Sequence, residues 1–166
     1  MKIQKRRRRE GKTDYKLRLA LLKSGKPRLV VRKSLKYITA QIIEYNEAGD
    51  RTIAAISSKL LRRFGWKFAC DNIPAAYLTG LLIGKKAIEK KINEAILDAG
   101  LYSSTKGSRI YAVAKGAIDA GLSIPLSKDM LPSEDRIAGK HIASKDKFVD
   151  LPEEFERIKE IILKKR

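Results

Sequence analysis

The chain has 166 residues, of which 37 are Lys or Arg and 19 are Asp or Glu, giving a formal net charge of +18 and a pI of about 10.1. With 43% apolar residues it has the means to bury a core, whereas a single Cys70 excludes an intramolecular disulfide and a single His141 leaves no Cys/His zinc set. No apolar run reaches bilayer length and none comes after the charged start as a secretory signal requires, so the expectation is a soluble protein of a reducing compartment that attracts polyanions.

The charge is concentrated. Residues 1–36 hold 15 basic and 2 acidic side chains, a net of +13, and the other 130 residues hold 22 and 17, a net of +5. Residues 1–26 form a basic arm. Repulsion among Lys5, Arg6, Arg7, Arg8 and Arg9 predicts an extended segment until an anion neutralises it, with Tyr15, Leu17, Leu19, Leu21 and Leu22 available to dock on the later part of the chain. Residues 24–27, Ser-Gly-Lys-Pro, read as a turn into a domain spanning residues 27–122. Its first strand runs from Arg28 to Ser34. The second, Tyr37 to Tyr45, alternates, with Ile38, Ala40 and Ile42 on one face and Tyr37, Thr39, Gln41 and Ile43 on the other. A short Gly-containing link leads to a third strand, Arg51 to Ser57, and short links predict an antiparallel meander.

Asn72 and Pro74 mark a helix start, and the helix is predicted from Ala75 to Ile92. A buried strand over Glu94 to Leu101 comes next, and then an Ala-rich helix from Gly107 to Gly121, closed by its terminal glycine. The order β-β-β-α-β-α predicts a mixed sheet covered by helices. Residues 123–166 form a C-terminal extension with helices at Glu134 to His141 and Glu153 to Lys164. The second carries a docking stripe of Phe155, Ile158 and Ile162, and its near-balanced charge suits packing on protein.

Several motifs invite catalytic readings and lose them. Residues 80–86, Gly-Leu-Leu-Ile-Gly-Lys-Lys, have too short a spacing for a phosphate loop, lack Ser/Thr for magnesium and lie inside a helix. Close packing of that helix on the sheet is the better account of Gly80 and Gly84. His141 has no neighbour with ligand or base spacing, so packing or a hydrogen bond is expected. Cys70 reads as a small buried hydrophobe. Asp98 near a strand end and Asp71 before a helix raise a two-metal nuclease, but the first strand offers Arg32 and Lys33 where an acid belongs. A lone run of arginines is often only a localisation or solubilising tail.

The arm withstands that comparison because its cations continue into ordered strands. Arg6 to Arg9 are forked donors that pair bidentately with phosphates. Lys12, Tyr15, Lys16 and Arg18 set an aromatic among cations. Arg28, Arg32, Lys33 and Lys36 then carry charge onto the sheet edge beside Tyr37, Thr39 and Gln41. Continuity of this kind indicates nucleic-acid binding, and with no DNA-recognition helix in sight it favours folded RNA.

Residues 6–15, Arg-Arg-Arg-Arg-Glu-Gly-Lys-Thr-Asp-Tyr, with Arg18, resemble the N-terminal signature of the 5S rRNA-binding family of large ribosomal subunit protein 18, in its archaeal and eukaryotic form. Residues 32–41, 72–82, 107–121 and 132–142 are similar to that family in the same order, and the compact length resembles archaeal members. The resemblance implies a ribonuclease-H-like mixed sheet without nuclease chemistry, no cofactor, and a structural place in the central protuberance joining 5S rRNA to 23S rRNA beside other large-subunit proteins. It also implies that Arg6 to Arg9, Lys12, Thr13, Tyr15 and Arg18 thread along RNA. Arg28, Arg32, Ser34, Lys36, Tyr37 and Gln41 would form a sheet-side surface. Lys106, Ser108 and Arg109 would bind phosphate at a helix start.

Overall fold

The protein is described by a computed structural model covering residues 3–144 and 148–164. Its arm is helical where the sequence predicts extension: Arg6–Arg9 makes one turn, α1, and Tyr15–Leu22 makes α2. Local anions offset the repulsion. Glu10 pairs with Arg6 at 2.8 Å and Lys12 at 2.9 Å. Asp14 caps α2 by accepting from the Lys16 and Leu17 amides at 2.9 and 3.1 Å, satisfying donors that have no partner within the helix. The leucines of α2 dock only partly: none of its residues is fully buried, and Leu17 and Leu19 are 41% and 58% exposed.

Three antiparallel strands come next, β1 (Arg28–Lys33), β2 (Ile38–Glu44) and β3 (Arg51–Ser57), as the alternation and short links predict. The Ser34 hydroxyl donates to the Tyr37 carbonyl and accepts from the Tyr37 amide, which locks the first turn. Register places Leu29, Val31, Ile38, Ala40, Ile42, Ala54 and Ile56 on one buried face, and Arg28, Val30, Arg32, Thr39 and Gln41 on the other. A 3₁₀ segment, Ser58–Phe64, is an element the sequence did not announce; it ends at Gly65 in the left-handed region, φ +92°.

Helix α3 spans Ile73–Glu89, with Pro74 in its first turn and the Asn72 side chain accepting from the Ala75 amide at 2.9 Å. Replacing Asn72 by alanine is expected to cost about 1 kcal/mol of stability, read as a lower urea midpoint at constant slope. The helix stops before Ile92 because Lys91 turns left-handed, φ +61°. The Lys91 amide then reaches the Ile88 carbonyl and the Ile92 amide the Ala87 carbonyl, a terminating pair usually built on glycine. Strand β4 (Ile96–Asp98) is shorter than predicted and returns parallel to β1, giving the order β3-β2-β1-β4. That crossover makes β1 an interior strand rather than the sheet edge predicted for its cations.

Helix α4 (Arg109–Asp119) ends in the same bonding pair as α3, here with Gly121 at φ +104°. It is α4, not the sheet, that explains the glycines of α3. A methyl group at Gly80 would overlap the Val113 carbonyl oxygen, one at Gly84 would meet the Ala120 Cβ at 2.6 Å, and one at Gly116 would overlap the Tyr77 carbonyl oxygen. In the extension, Gly139 at φ +82° splits the predicted helix into α5 (Glu134–Ala138) and α6 (Lys140–Ala143). Helix α7 (Leu151–Lys164) buries Phe155, Ile158 and Ile162 as the stripe predicts, and Lys85 of α3 donates to the Ile162 and Leu163 carbonyls near its end. Cys70 is buried, whereas His141 is exposed rather than packed. Slight burial and the nearby Arg136 charge hold the His141 pKa below its ordinary value.

Candidate nucleic-acid interface

Charge on the outer sheet face is organised as an alternating chain. Arg18 of α2 donates to Asp50 Oδ2 at 2.8 Å, and Arg28 of β1 donates to the same oxygen at 2.6 Å. Arg28 also donates to Asp98 Oδ2 at 2.9 Å, and Arg32 to Asp98 Oδ1 at 3.0 Å and to the Asp98 carbonyl at 2.8 Å. Three arginines and two aspartates thus link the arm, the β2–β3 connection, β1 and β4. A buried ion needs such pairing, since a charge taken from water is otherwise costly. Arg28 is only 4% exposed and Asp98 6%, and Nε of Arg28 is buried without a partner.

Beside this chain lies a cleft of about 130 Å³ lined by Arg7, Lys12, Arg18, Arg28 and Arg32 together with Thr13, Asp14 and Asp98. Of the predicted arm residues, Arg7, Lys12, Thr13 and Arg18 are therefore brought to the sheet, and several arm side chains are held in place. Arg7 Nε donates to Thr13 Oγ1 at 2.9 Å, and Lys5 Nζ lies 4.9 Å from the centre of the Tyr15 ring. Lys12 and Arg6 hold the Glu10 carboxyl below its usual range. Arg8, Arg9 and Lys16 project outward into solvent.

Other predicted residues are placed differently. Arg28 is engaged on two sides by carboxylates, so its contribution to the surface is to fix Asp50 and Asp98 rather than to stand in solvent. Arg32, at 43% side-chain exposure, shares the outer face with half-buried Thr39 and Gln41. Lys33 falls on the opposite face, 4.8 Å from the Tyr102 ring centre. Ser34 serves the turn, Lys36 is exposed at its tip, and Tyr37 packs partly against the core.

Lys106, Ser108 and Arg109 form a separate group at the start of α4. Arg109 donates to the carbonyl and carboxylate of Asp71, Ser108 Oγ is buried without a partner, and the preceding Gly107 amide bonds to Met130 of the extension. Only Lys106 is exposed there. Sequence reasoning overlooked Asp50 and undervalued Asp98. Their partners are 22 to 70 residues away in the chain, and no local signal marks them. Asp98, a candidate metal ligand by sequence, has Oδ1 taken by Arg32 and the Gly100 amide and Oδ2 by Arg28, which leaves it a structural counterion.

Comparison with known proteins gives the chain's family. The family model described as ribosomal large subunit proteins 60S L5 and 50S L18 matches residues 1–94 and 89–127. Large ribosomal subunit protein uL18 of Korarchaeum cryptofilum is 55% identical over 143 residues, covering 86% of this chain and 73% of that protein. Large ribosomal subunit protein uL18 of Methanococcus maripaludis is 48% identical over 180 aligned positions, covering 95% of this chain and 93% of that protein. Arm, sheet and both α3 and α4 fall within the matched residues, and the chain belongs to the family of ribosomal large subunit proteins 60S L5 and 50S L18.

Proposed function

We propose that this protein is a non-catalytic structural constituent of the large ribosomal subunit in the cytoplasm, that it binds 5S rRNA, and that it helps attach that RNA to 23S rRNA in the central protuberance. The observation that carries the reading is the gathering of arm and β1 cations around one cleft, in a chain of this family. Arginines neutralise phosphates and release counterions, while the sheet fixes which RNA shape the arm reaches. The meander with a parallel fourth strand supports a ribonuclease-H-like arrangement, in which an arm (1–26) and an RNA-binding domain (27–122) are joined by an extension (123–166) whose apolar stripe packs into the same core. Lys106 is the exposed member of a secondary phosphate contact at α4.

Titration against 5S rRNA over a series of salt concentrations tests this. Changing Arg6, Arg7, Arg8 and Arg9 to glutamine is expected to weaken binding and flatten the log–log salt slope by as much as about four, roughly one per lost phosphate contact. Unchanged affinity and slope would remove the arm from the interface. Co-sedimentation with large subunits through washing salt separates a stable component from a free RNA-binding protein.

A further inference from the structure

Asp50 pairs with a cation of the arm and a cation of β1 at once, among residues whose charge is otherwise mostly positive. We propose that Asp50 is a positioning residue for the basic arm: its carboxylate seats α2 on the sheet and so pre-forms the RNA-binding surface. The proposal rests on the RNA-binding function for its effect on affinity, and on geometry alone for the seating itself.

Apolar contact holds the arm only weakly. Helix α2 has no fully buried residue, so little surface burial fixes its orientation. Its ion pair to the domain runs from Arg18 to Asp50 Oδ2 at 2.8 Å, and Arg28 meets that same oxygen at 2.6 Å. One oxygen therefore bridges a guanidinium of the arm and a buried guanidinium of β1. Arg28 is itself anchored by Asp98, so the position of Asp50, and through it of Arg18, is referred to the core of the sheet. Without the carboxylate two guanidinium groups would face each other unshielded, and the arm would swing away. A detached arm must be ordered again each time it meets RNA, which weakens binding though no phosphate contact has been removed.

The sign of the effect makes this testable. Asp50→Asn raises the net charge by one, so a purely electrostatic role predicts tighter binding. Seating predicts affinity for 5S rRNA weaker by about tenfold at fixed salt, with a salt slope that does not flatten. Asp50→Glu is expected to recover most of the affinity. Equal or tighter binding by Asp50→Asn would overturn the proposal. The seating is also read without RNA, by limited trypsin digestion of the full-length free protein at Lys16, Arg18 and Lys23. Asp50→Asn and Arg18→Gln should each speed cleavage at Lys16 and Lys23 several-fold, and the double variant should be no faster than either. Unaltered cleavage, with an unaltered unfolding midpoint to exclude global effects, would overturn it. Should the wild-type protein show no preference for 5S rRNA over heparin while Asp50→Asn still loosens the arm, the RNA reading fails and the seating stands.

Discussion

Replacing Asp98 by alanine is expected to lower the stability of the folded protein by about 3–5 kcal/mol, the loss characteristic of a buried ion pair deprived of one partner. The carboxylate is 6% exposed and faces Arg28, which is 4% exposed, so the variant takes away the buried one of the two anions that pair with this guanidinium and leaves it Asp50 alone. It also takes away the acceptor for the Gly100 amide, at 2.9 Å, and the anchor of Arg32. Since whole domains are stable by only about 5–15 kcal/mol, the variant approaches the unfolding threshold. Arg32→Gln is the matched comparison. It breaks the other ion pair of Asp98 from a half-exposed position and is expected to cost less than about 1 kcal/mol. Urea denaturation of both variants checks the contrast, and a loss for Asp98→Ala no larger than that for Arg32→Gln would refute it. Arg28→Met combined with Asp98→Asn should recover part of the loss, because no buried cation deprived of one of its two anions is then left inside.

Gly80→Ala and Gly116→Ala are each expected to destabilise by about 2–3 kcal/mol, although alanine in a helix interior ordinarily gains up to about 1 kcal/mol over glycine. The sign reverses because α3 and α4 touch through main chain. The new methyl of one variant would overlap the Val113 carbonyl oxygen and that of the other the Tyr77 carbonyl oxygen, and neither oxygen can turn aside as a side chain could. Gly84→Ala should cost less, since its overlap is shallower: the Ala120 Cβ lies at 2.6 Å and the Ala117 carbonyl oxygen at 2.9 Å. Equilibrium unfolding of the three variants gives the ranking. Equal effects at all three positions would show that the helices separate freely to make room.

Much of the fold is legible in the residues. The alternation at Ile38, Ala40 and Ile42 marks the buried face of β2, Asn72 and Pro74 mark the start of α3, and Phe155, Ile158 and Ile162 mark the docking face of α7. These are local signals with fixed periods. The stop of α3 at Lys91 is hidden because a lysine occupies the left-handed position that glycine usually advertises. The helical arm is hidden for a different reason. Its repulsion is visible in the Lys/Arg run, and so is Glu10 four residues after Arg6, but the distant Asp50 that pairs with Arg18 acts only through the fold. For the candidate interface, composition and the arm motif point to the cations of the arm and β1. They do not reveal that Arg28 is buried or that Asp98 holds two arginines together, since those facts depend on the parallel return of β4.

That return also sets a schedule for synthesis. A chain grows from its N-terminus and its domain folds as a unit, so the basic arm is made first while β4 comes some seventy residues after β1 begins. Until Asp98 has been added, Arg28 has no buried counterion and β1 has an open side. During this interval the nascent protein is a bare polycation in a medium full of nucleic acid. The buried pairing of Arg28 thus becomes available only after the last strand closes, and early capture of the arm by a polyanion competes with folding itself.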